Sequence, residues 1–185
     1  MNIERLAIPE VFLLVSTVHG DARGSFSETY RASAMAEAGA TRPFVQENLA
    51  RTARAGQLRG LHFQRDPHAQ EKLVGVLSGA IFDVAVDIRP GSPTLGRWVG
   101  VKLTAGEPRQ IFVPRGFAHG YLTLTDDCTV LYKTGDYYAP GAEGGLRWDD
   151  PAIGIDWPLP ASQIATNPRD AAWPPFAQAI ASLAQ

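Results

Sequence analysis

Alternating apolar and polar residues predict a series of short β-strands from residue 73 onward. In residues 80–88 one face of the predicted strand carries Phe82, Val84, Val86 and Ile88, and the other carries Asp83 and Asp87. The same alternation predicts strands over residues 97–103, 110–113, 120–124 and 129–134. Turn-forming sequences such as Arg-Pro-Gly-Ser-Pro at 89–93 separate them. Evenly spaced short strands of this kind are typical of an all-β sandwich, jelly roll or barrel.

Helical patterns are confined to the two ends of the chain. Residues 31–38 are rich in alanine and are followed by Gly39, a favourable C-terminal cap. Phe176, Ile180 and Leu183 recur at helical spacing after two prolines. We therefore expect a mainly β fold with short peripheral helices near the N- and C-termini.

Length and composition restrict the class of protein. A chain of 185 residues fits one domain, here residues 1–185, and a net charge of −2 argues against a nucleic-acid-binding protein. The longest mostly apolar stretch, residues 73–86, contains Asp83 and is too short to cross a membrane. The first residues do not resemble a signal peptide, and the single Cys128 excludes an internal disulfide. We expect a cytoplasmic protein that binds neither nucleic acid nor membrane.

Two of the four histidines stand close to glycine in apolar sequence. His62 follows Gly60 by two residues, and His119 closes the pattern Pro-x-Gly-x-x-His at 114–119. A neutral imidazole is a natural general base near pH 7. Each histidine could equally be a hydrogen-bonded core residue, so the pattern by itself leaves both interpretations open.

Other residues offer complementary chemistry. Lys72 begins an apolar stretch, where its ammonium could stabilise a developing oxyanion. Tyr132 shares a strand face with Val130 and is predicted to point inward, as a structural hydroxyl or as a proton donor opposite a base. The guanidinium groups of Arg23 and Arg59 suit phosphate, although such groups are more often solvated.

The pattern around His119 resembles the second motif of the cupins, small β-barrels in which histidines and a glutamate often hold a metal. The first cupin motif has two histidines one residue apart, where this chain has His62 and Gln64. A set of His62, His119 and Glu71 is the alternative metal site. The amide of Gln64 in place of a second imidazole favours a site without metal.

Blocks along most of the chain resemble the dTDP-4-dehydrorhamnose 3,5-epimerase family, a jelly-roll branch of the cupins that works without metal. Their number, order and spacing make the resemblance specific. The blocks cover residues 21–28, 44–48, 58–64, 70–73, 82–89, 92–96, 114–121, 132–138 and 148–151. The resemblance implies a cupin-type jelly roll (a double-stranded β-helix barrel). It also implies a dTDP-linked 4-keto-6-deoxy sugar as substrate.

The resemblance also implies roles for individual residues. His62 is the base that removes a proton beside the C4 ketone, and Tyr132 is the acid that returns one to the opposite face. Lys72 stabilises the enolate, and His119 lies close to the same site. Asp170 matches the aspartate that hydrogen-bonds the catalytic histidine. No step is a redox step, so no metal or other cofactor is required.

Binding residues follow by the same analogy. The expected nucleotide contacts are Arg23, Glu28, Gln46, Asn48 and Arg59, with Glu143 and Arg169 as further candidates and Tyr138 stacking on thymine. Family members are homodimers in which an N-terminal strand joins the partner's sheet, so Arg23 and Phe26 would act across the interface. The apolar residues 11–15 suit such a swapped strand or an ordinary edge strand.

Two alternatives stay open at the level of sequence. The chain departs from the usual family pattern at Gly135 and at residues 167–169. An enzyme that inverts only one centre, or that acts on another 4-keto sugar, is therefore one alternative. A non-catalytic or metal-binding cupin is the other. The non-catalytic version is disfavoured by the presence of His62, Lys72 and Tyr132, and the metal-binding version is disfavoured by Gln64.

Overall fold

A computed structural model describes residues 1–40 and 42–183, and over these residues it contains thirteen strands and three α-helices. The strands are β1 (Asn2–Arg5), β2 (Phe12–Val15), β3 (Val18–Asp21), β4 (Gly24–Ser27), β5 (Gln46–Thr52), β6 (Leu58–Gln64), β7 (Lys72–Ser78), β8 (Ala80–Asp87), β9 (Trp98–Thr104), β10 (Arg109–Val113), β11 (Phe117–Thr123), β12 (Cys128–Thr134) and β13 (Glu143–Gly145). The helices are α1 (Ala32–Glu37), α2 (Pro168–Ala171) and α3 (Phe176–Leu183).

Two antiparallel sheets form the body of the molecule. One has six strands in the order β1-β2-β10-β7-β12-β5, and the other has five in the order β13-β6-β11-β8-β9. A core of buried residues from both sheets fills the space between them, including Leu13, Val74 and Ile111 from the first and Ala85 and Phe117 from the second. The inner faces of two sheets therefore enclose one apolar interior, as in a sandwich or barrel.

Short helices cover the outer faces of the sheets. Met35 of α1 packs with Phe12, Leu14 and Phe112 on the six-stranded sheet. On the five-stranded sheet, Ala179 of α3 joins a cluster that includes Val84 and Val86. Both faces of these sheets are therefore buried over much of their area, which explains why the central β11 is buried at every position.

A buried ion-pair network lies at one end of β8. The carboxylate of Asp87, fully buried, accepts hydrogen bonds from Arg89 Nη2 (2.7 Å), Ser92 Oγ (2.6 Å) and Thr94 Oγ1 (2.5 Å). Burial alone would raise the pKa of Asp87, but these hydrogen bonds outweigh it and lower the pKa to about 2. The Arg89 guanidinium also lies 4.7 Å from the centre of the Phe117 ring. The network ties the loop after β8 to the barrel end.

The N-terminal region differs from the expectation for residues 11–15. Within the single chain β2 pairs with β1 and with β10, so it is an interior strand and the edge-strand interpretation was wrong; exchange of this strand between subunits stays a prediction. Its apolar residues face cores on both sides, which accounts for its composition. The segment that stands apart is the β3–β4 hairpin, a separate two-stranded sheet with Phe26 72% exposed.

The predicted elements are otherwise confirmed. Each of the five strands predicted by alternation is present with ends within three residues of the expected ones, and both terminal helices form. Val84 and Val86 of β8 lie on the outer face under α3, while Asp83 and Asp87 lie on the inner face together with Ala85. Among the residues described, no helix is long and apolar enough to cross a membrane.

Candidate active site

A cavity of about 360 Å³ lies between the two sheets, walled by strands β5, β6, β7, β11 and β12 and by the α2 turn. It gathers all four predicted catalytic residues and most of the predicted binding residues. The predicted residues that line it are His62, Lys72, Tyr132, Asp170, Gln46, Asn48, Arg59, His119, Tyr138, Glu143 and Arg169. Their roles stay predictions, but their common location is a property of the structure.

The imidazole of His62 is held by a buried carboxylate. His62 Nε2 lies 2.8 Å from Asp170 Oδ1, and Asp170 Oδ2 accepts the Gly60 N–H at 3.1 Å. The Asp170 side chain is 1% exposed, whereas that of His62 is 23% exposed towards the cavity. Burial raises the pKa of Asp170, but the hydrogen bond from His62 and the charge of Arg169 lower it on balance. An ionised Asp170 favours the tautomer with the proton on Nε2, which leaves the lone pair on Nδ1.

A capped helical turn delivers Asp170 to this position. Asn167 is the N-cap of α2, and its side-chain oxygen accepts the Asp170 N–H at 2.8 Å. Pro168 occupies the first helical position, where the missing N–H costs nothing. The departure from the family pattern at residues 167–169 therefore forms a regular turn and keeps the aspartate in reach of His62.

Two glycines allow β6 and β11 to meet closely behind the histidines. A Cβ on Gly60 would lie 2.6 Å from Gly120 Cα, and Gly60 has φ +144°, a conformation that other residues rarely adopt. The register between the strands shifts here, and it places His62 directly opposite His119. The close backbone contact thus sets the two imidazoles on neighbouring strands at one level of the cavity.

His119 has its own buried partner. Its Nε2 lies 2.9 Å from Asp83 Oδ1, and Asp83 is fully buried. Burial lowers the pKa of His119 below its usual value; the nearby charges of Lys72 and His62 act in the same direction, and Asp83 opposes them. His119 is therefore a neutral polar group at pH 7.

Lys72 opens β7 and points to the inner face shared with Val74. Burial lowers the pKa of Lys72 to about 8, although the carboxylates of Asp83 and Glu143 oppose the shift. The ammonium is still mostly charged at pH 7. A partly desolvated cation in a cavity stabilises a negative oxygen better than one in water.

Tyr132 lies on β12, two residues after the buried Val130, as the sequence predicted. It packs at the border of the inner core and lines the cavity. Burial raises its pKa, and the charge of Arg59 opposes that rise. The phenol therefore stays protonated at neutral pH and can donate its proton.

Three predicted nucleotide contacts form a cluster on the cavity wall. Glu143 Oε2 accepts hydrogen bonds from Tyr138 Oη (3.1 Å) and from Arg169 Nη1 (3.0 Å). Tyr138 is 50% exposed, so one of its sides is open to an aromatic ligand. Arg59 lines another part of the wall, where its Nε donates to Thr52 Oγ1 at 3.2 Å.

Side-chain amides hold the loop that carries Tyr138. Gln64 donates to the backbone oxygens of His68 (2.7 Å) and Tyr137 (3.1 Å) and accepts the Ala139 N–H (2.8 Å). Gln46 accepts the Tyr138 N–H at 3.1 Å. Gln64 therefore has a structural task that an imidazole could not perform with the same three hydrogen bonds.

Three predicted residues lie away from the cavity of their own chain. Arg23 and Phe26 stand on the β3–β4 hairpin, and Arg23 forms a 2.6 Å ion pair with Asp21. Glu28 follows the hairpin and pairs with Arg31 at 2.7 Å. The single chain does not bring these residues to the site.

The alternative metal set does not assemble. His62 and His119 each face a separate carboxylate, and Glu71 does not line the cavity. Within residues 1–40 and 42–183, no group of three His, Cys, Asp or Glu side chains is placed to hold a metal ion. Instead, each histidine is hydrogen-bonded to its own carboxylate, His62 to Asp170 and His119 to Asp83.

Some cavity residues had not been predicted. Tyr121 lines the cavity beside His119, and Asp83 faces the interior behind His119 without lining the cavity. Gln70 and Thr134 line the wall near Lys72. Alternation could have found the first two, because Tyr121 lies two residues after His119 and Asp83 was already assigned to the face opposite the apolar one.

Comparison with known proteins identifies close relatives. The family model described as dTDP-4-dehydrorhamnose 3,5-epimerase matches residues 5–178. The chain is 47% identical over 182 residues to the dTDP-4-dehydrorhamnose 3,5-epimerase of Salmonella typhimurium, covering 97% of this chain and 98% of that one.

Solved structures agree with this similarity. The dTDP-6-deoxy-D-glucose-3,5-epimerase of Legionella pneumophila, in complex with dTDP-4-keto-L-rhamnose, superposes with a TM-score of 0.92 at 44% identity and covers 98% of this chain and 96% of that one. ChmJ, a 3'-monoepimerase from Streptomyces bikiniensis in complex with dTDP-quinovose, gives 0.86 at 34% identity, with coverages of 98% and 90%. The expected cupin-type jelly roll is thereby confirmed.

Proposed function

The chain belongs to the dTDP-4-dehydrorhamnose 3,5-epimerase family and is an isomerase of that activity, and we propose that His62, Lys72 and Tyr132 carry its chemistry. The substrate is dTDP-4-dehydro-6-deoxy-D-glucose, and the product is dTDP-4-dehydro-L-rhamnose. Protons at C3 and C5 of this sugar are acidic because the C4 ketone can accept the electron pair as an enolate. Inversion requires that a proton leaves one face of the carbon and another arrives on the opposite face.

His62 removes the proton. Its imidazole is oriented by the buried Asp170 and faces the cavity, and this pair is the observation that carries the proposal. The electron pair of the C–H bond moves to the ketone oxygen, and the imidazole becomes a cation that Asp170 stabilises. The same proton transfer serves C3 and C5, since both carbons flank the same ketone.

Lys72 stabilises the enolate, and Tyr132 completes the inversion. The ammonium of Lys72 supplies positive charge where negative charge develops, and the neutral His119 offers a hydrogen bond beside it. Tyr132 donates its phenolic proton to the carbon from the face opposite His62. The charge of Arg59 favours the phenolate that remains. The electron pair returns to carbon, so the reaction needs no metal or redox cofactor.

Incubation with the substrate in deuterated water tests this assignment. Wild type should introduce deuterium at both C3 and C5, and His62→Ala should abolish the exchange. Label at a single carbon would instead favour the alternative of a mono-epimerase. Tyr132→Phe should retain part of the proton abstraction and lose net inversion; equal loss of both would argue against its role as the opposite-face acid.

Nucleotide binding is proposed for the rest of the cavity. Arg59 and Arg169 would bind the diphosphate, because their planar guanidinium groups match phosphate oxygens. Tyr138 would stack on thymine, with Glu143 fixing its hydroxyl. The amides of Gln46 and Asn48, which hydrogen-bond each other at 2.9 Å, complete that side of the site.

The chain is further proposed to be a homodimer in which the hairpin of each subunit completes the site of its partner. β5 lies at the free edge of the six-stranded sheet, and Gln46 and Asn48 on it line the cavity. A strand added to this edge would pair with unsatisfied backbone groups. The exposed β3–β4 hairpin of a second copy fits, and it would bring Arg23, Phe26 and Glu28 to the site. Exposed Leu49 and Leu77 on the outer face of the same sheet supply apolar contact area.

Mixed dimers test the exchange. Co-expressing Arg23→Ala chains with His62→Ala chains should give heterodimers with one site that has both intact residues, restoring about a quarter of wild-type activity in a random mixture. Each variant alone should be impaired. A mixture no more active than its components would contradict action across the interface.

A single domain over residues 1–185 and a cytoplasmic location stay predictions from the sequence.

A further inference from the structure

The hydroxyl of Tyr121 is a buried polar group without a partner. Tyr121 is 5% exposed, and its hydroxyl oxygen makes no hydrogen bond within the described part of the chain. The hydroxyl of neighbouring Thr52 accepts the Arg59 Nε–H at 3.2 Å; it lies near enough to lower the pKa of Tyr121, but the two hydroxyls do not reach hydrogen-bonding geometry. A buried hydroxyl left without a hydrogen bond destabilises a protein, so such groups are expected to have a ligand or water as partner.

The position of Tyr121 places the residue on the wall of the catalytic cavity. On β11 it lies two residues after His119, on the same inner face, and it lines the cavity. In register it stands opposite Asp83 on β8, the residue that binds His119. Tyr121 and Tyr132 both belong to the same inner core, one from each sheet. Tyr121 therefore lies beside the groups assigned to the reacting hexose, with Arg59, assigned to the diphosphate, opposite it on β6. The Tyr138–Glu143–Arg169 cluster assigned to the nucleotide lies elsewhere on the wall.

The phenol is suited to bind a sugar oxygen. Burial raises the pKa of Tyr121 to about 12; the Arg59 charge opposes the rise, and Tyr132 and Asp83 add to it. The group is thus protonated throughout the working pH range and has both a donor and an acceptor site to offer. A hexose hydroxyl can use either one.

We propose that the Tyr121 hydroxyl is a substrate-positioning group that forms a hydrogen bond with an oxygen substituent on the hexose ring. The inference rests on the proposed function, since it assumes that the hexose of a nucleotide sugar enters this cavity. It adds to the site a contact that neither His62, Lys72 nor Tyr132 supplies. Its effect is on how the sugar is held between the base and the acid.

Tyr121→Phe removes only the hydroxyl and keeps the ring that packs in the core. Losing one neutral hydrogen bond to the substrate should lower kcat/KM about threefold to tenfold. The inhibition constant of dTDP, which has no hexose, should stay unchanged. Because the hydroxyl makes no hydrogen bond to residues 1–40 or 42–183, the thermal unfolding midpoint should not fall. Tyr30→Phe is the matched control: it removes a phenolic hydroxyl that does not line the cavity, and it should leave kcat/KM as in wild type.

Each other outcome overturns the inference. Unchanged kcat/KM with a lower unfolding midpoint would show that the hydroxyl is a structural group, satisfied by a buried water. Weaker inhibition by dTDP in the variant would move the contact from the hexose to the diphosphate or base. If wild type introduces no deuterium into the substrate, the proposed function itself fails and the inference falls with it. If wild type is active and Tyr121→Phe is fully active, only the inference is wrong.

Discussion

Raising the pH should switch off the epimerase by neutralising Lys72. Burial lowers the pKa of this lysine to about 8, which lies within the pH range in which the enzyme can be assayed. The pKa of Tyr121 is raised to about 12, that of Tyr132 is also raised, and that of His119 is lowered. None of these three groups changes its charge between pH 7 and 9.

The size of the effect follows from the charged fraction of Lys72. With a pKa of about 8, about 90% of the lysine is charged at pH 7 and about 10% at pH 9. If only the ammonium form stabilises the enolate, kcat/KM falls about tenfold over this range. Above pH 9 it continues to fall about tenfold per pH unit. The profile of kcat/KM reports the free enzyme, which is the state described by the structure.

The assay is the pH profile of kcat/KM from pH 6 to 10, for wild type and two variants. In Lys72→Arg the guanidinium stays charged, so a lower but flat rate is expected above pH 7. Lys72→Met has no charge to lose, and its residual rate should also lack the limb near pH 8. A wild-type rate that is constant up to pH 10 would refute the reasoning. Persistence of the same limb in Lys72→Arg would assign it to another group.

Three further substitutions probe the frame around the site. Asp170→Asn removes a charge-assisted hydrogen bond to His62 worth about 1.5–3 kcal/mol, so deuterium exchange should slow roughly tenfold to a hundredfold. Gly60→Ala forces a Cβ against Gly120 and should lower the thermal unfolding midpoint by several degrees. Asp87→Asn should lower the free energy of unfolding at pH 7, measured in urea, by about 2 kcal/mol.

Controls for these variants come from the same chain. Gly141→Ala introduces a Cβ with nothing within 4 Å and should leave the midpoint unchanged. The pKa of Asp87 is depressed in the folded state, so its stabilisation is present above about pH 4 and is lost as the pH falls towards 2. The difference between wild type and Asp87→Asn should therefore shrink at pH 3. A constant difference, a stable Gly60→Ala or a fully active Asp170→Asn would each contradict its prediction.

Much of the fold follows from local pattern. The turns and alternation that separate β8 to β12 appear directly in the sequence, because each of these strands begins or ends at glycine, proline or a polar pair. The start of β11 was placed three residues late, at Gly120. This strand is buried on both faces, so the alternation that marks a half-buried strand is missing from it.

The pairing of strands that are distant in the chain could not be predicted from the sequence. The apolar residues of β2 fit a swapped, an edge or an interior strand equally well, and only the pairing with β1 and β10 decides between them. The residues that line the cavity were predicted through resemblance and motif, and so was Asp170 as the partner of His62. The partner of His119 was not predicted, since its contact with Asp83 joins residues that are 36 positions apart.

The two charged networks inside the barrel have a consequence for how such an enzyme can diversify. Asp83, which hydrogen-bonds His119 of the cavity wall, and Asp87, which ties the loop after β8 to the barrel end, are four residues apart on one strand, or about 13 Å. Substitutions in the cavity lining leave the Asp87 network untouched, so a new substrate preference can arise without loss of the contacts that hold that end together. Selection can then act on the two ends of the barrel separately.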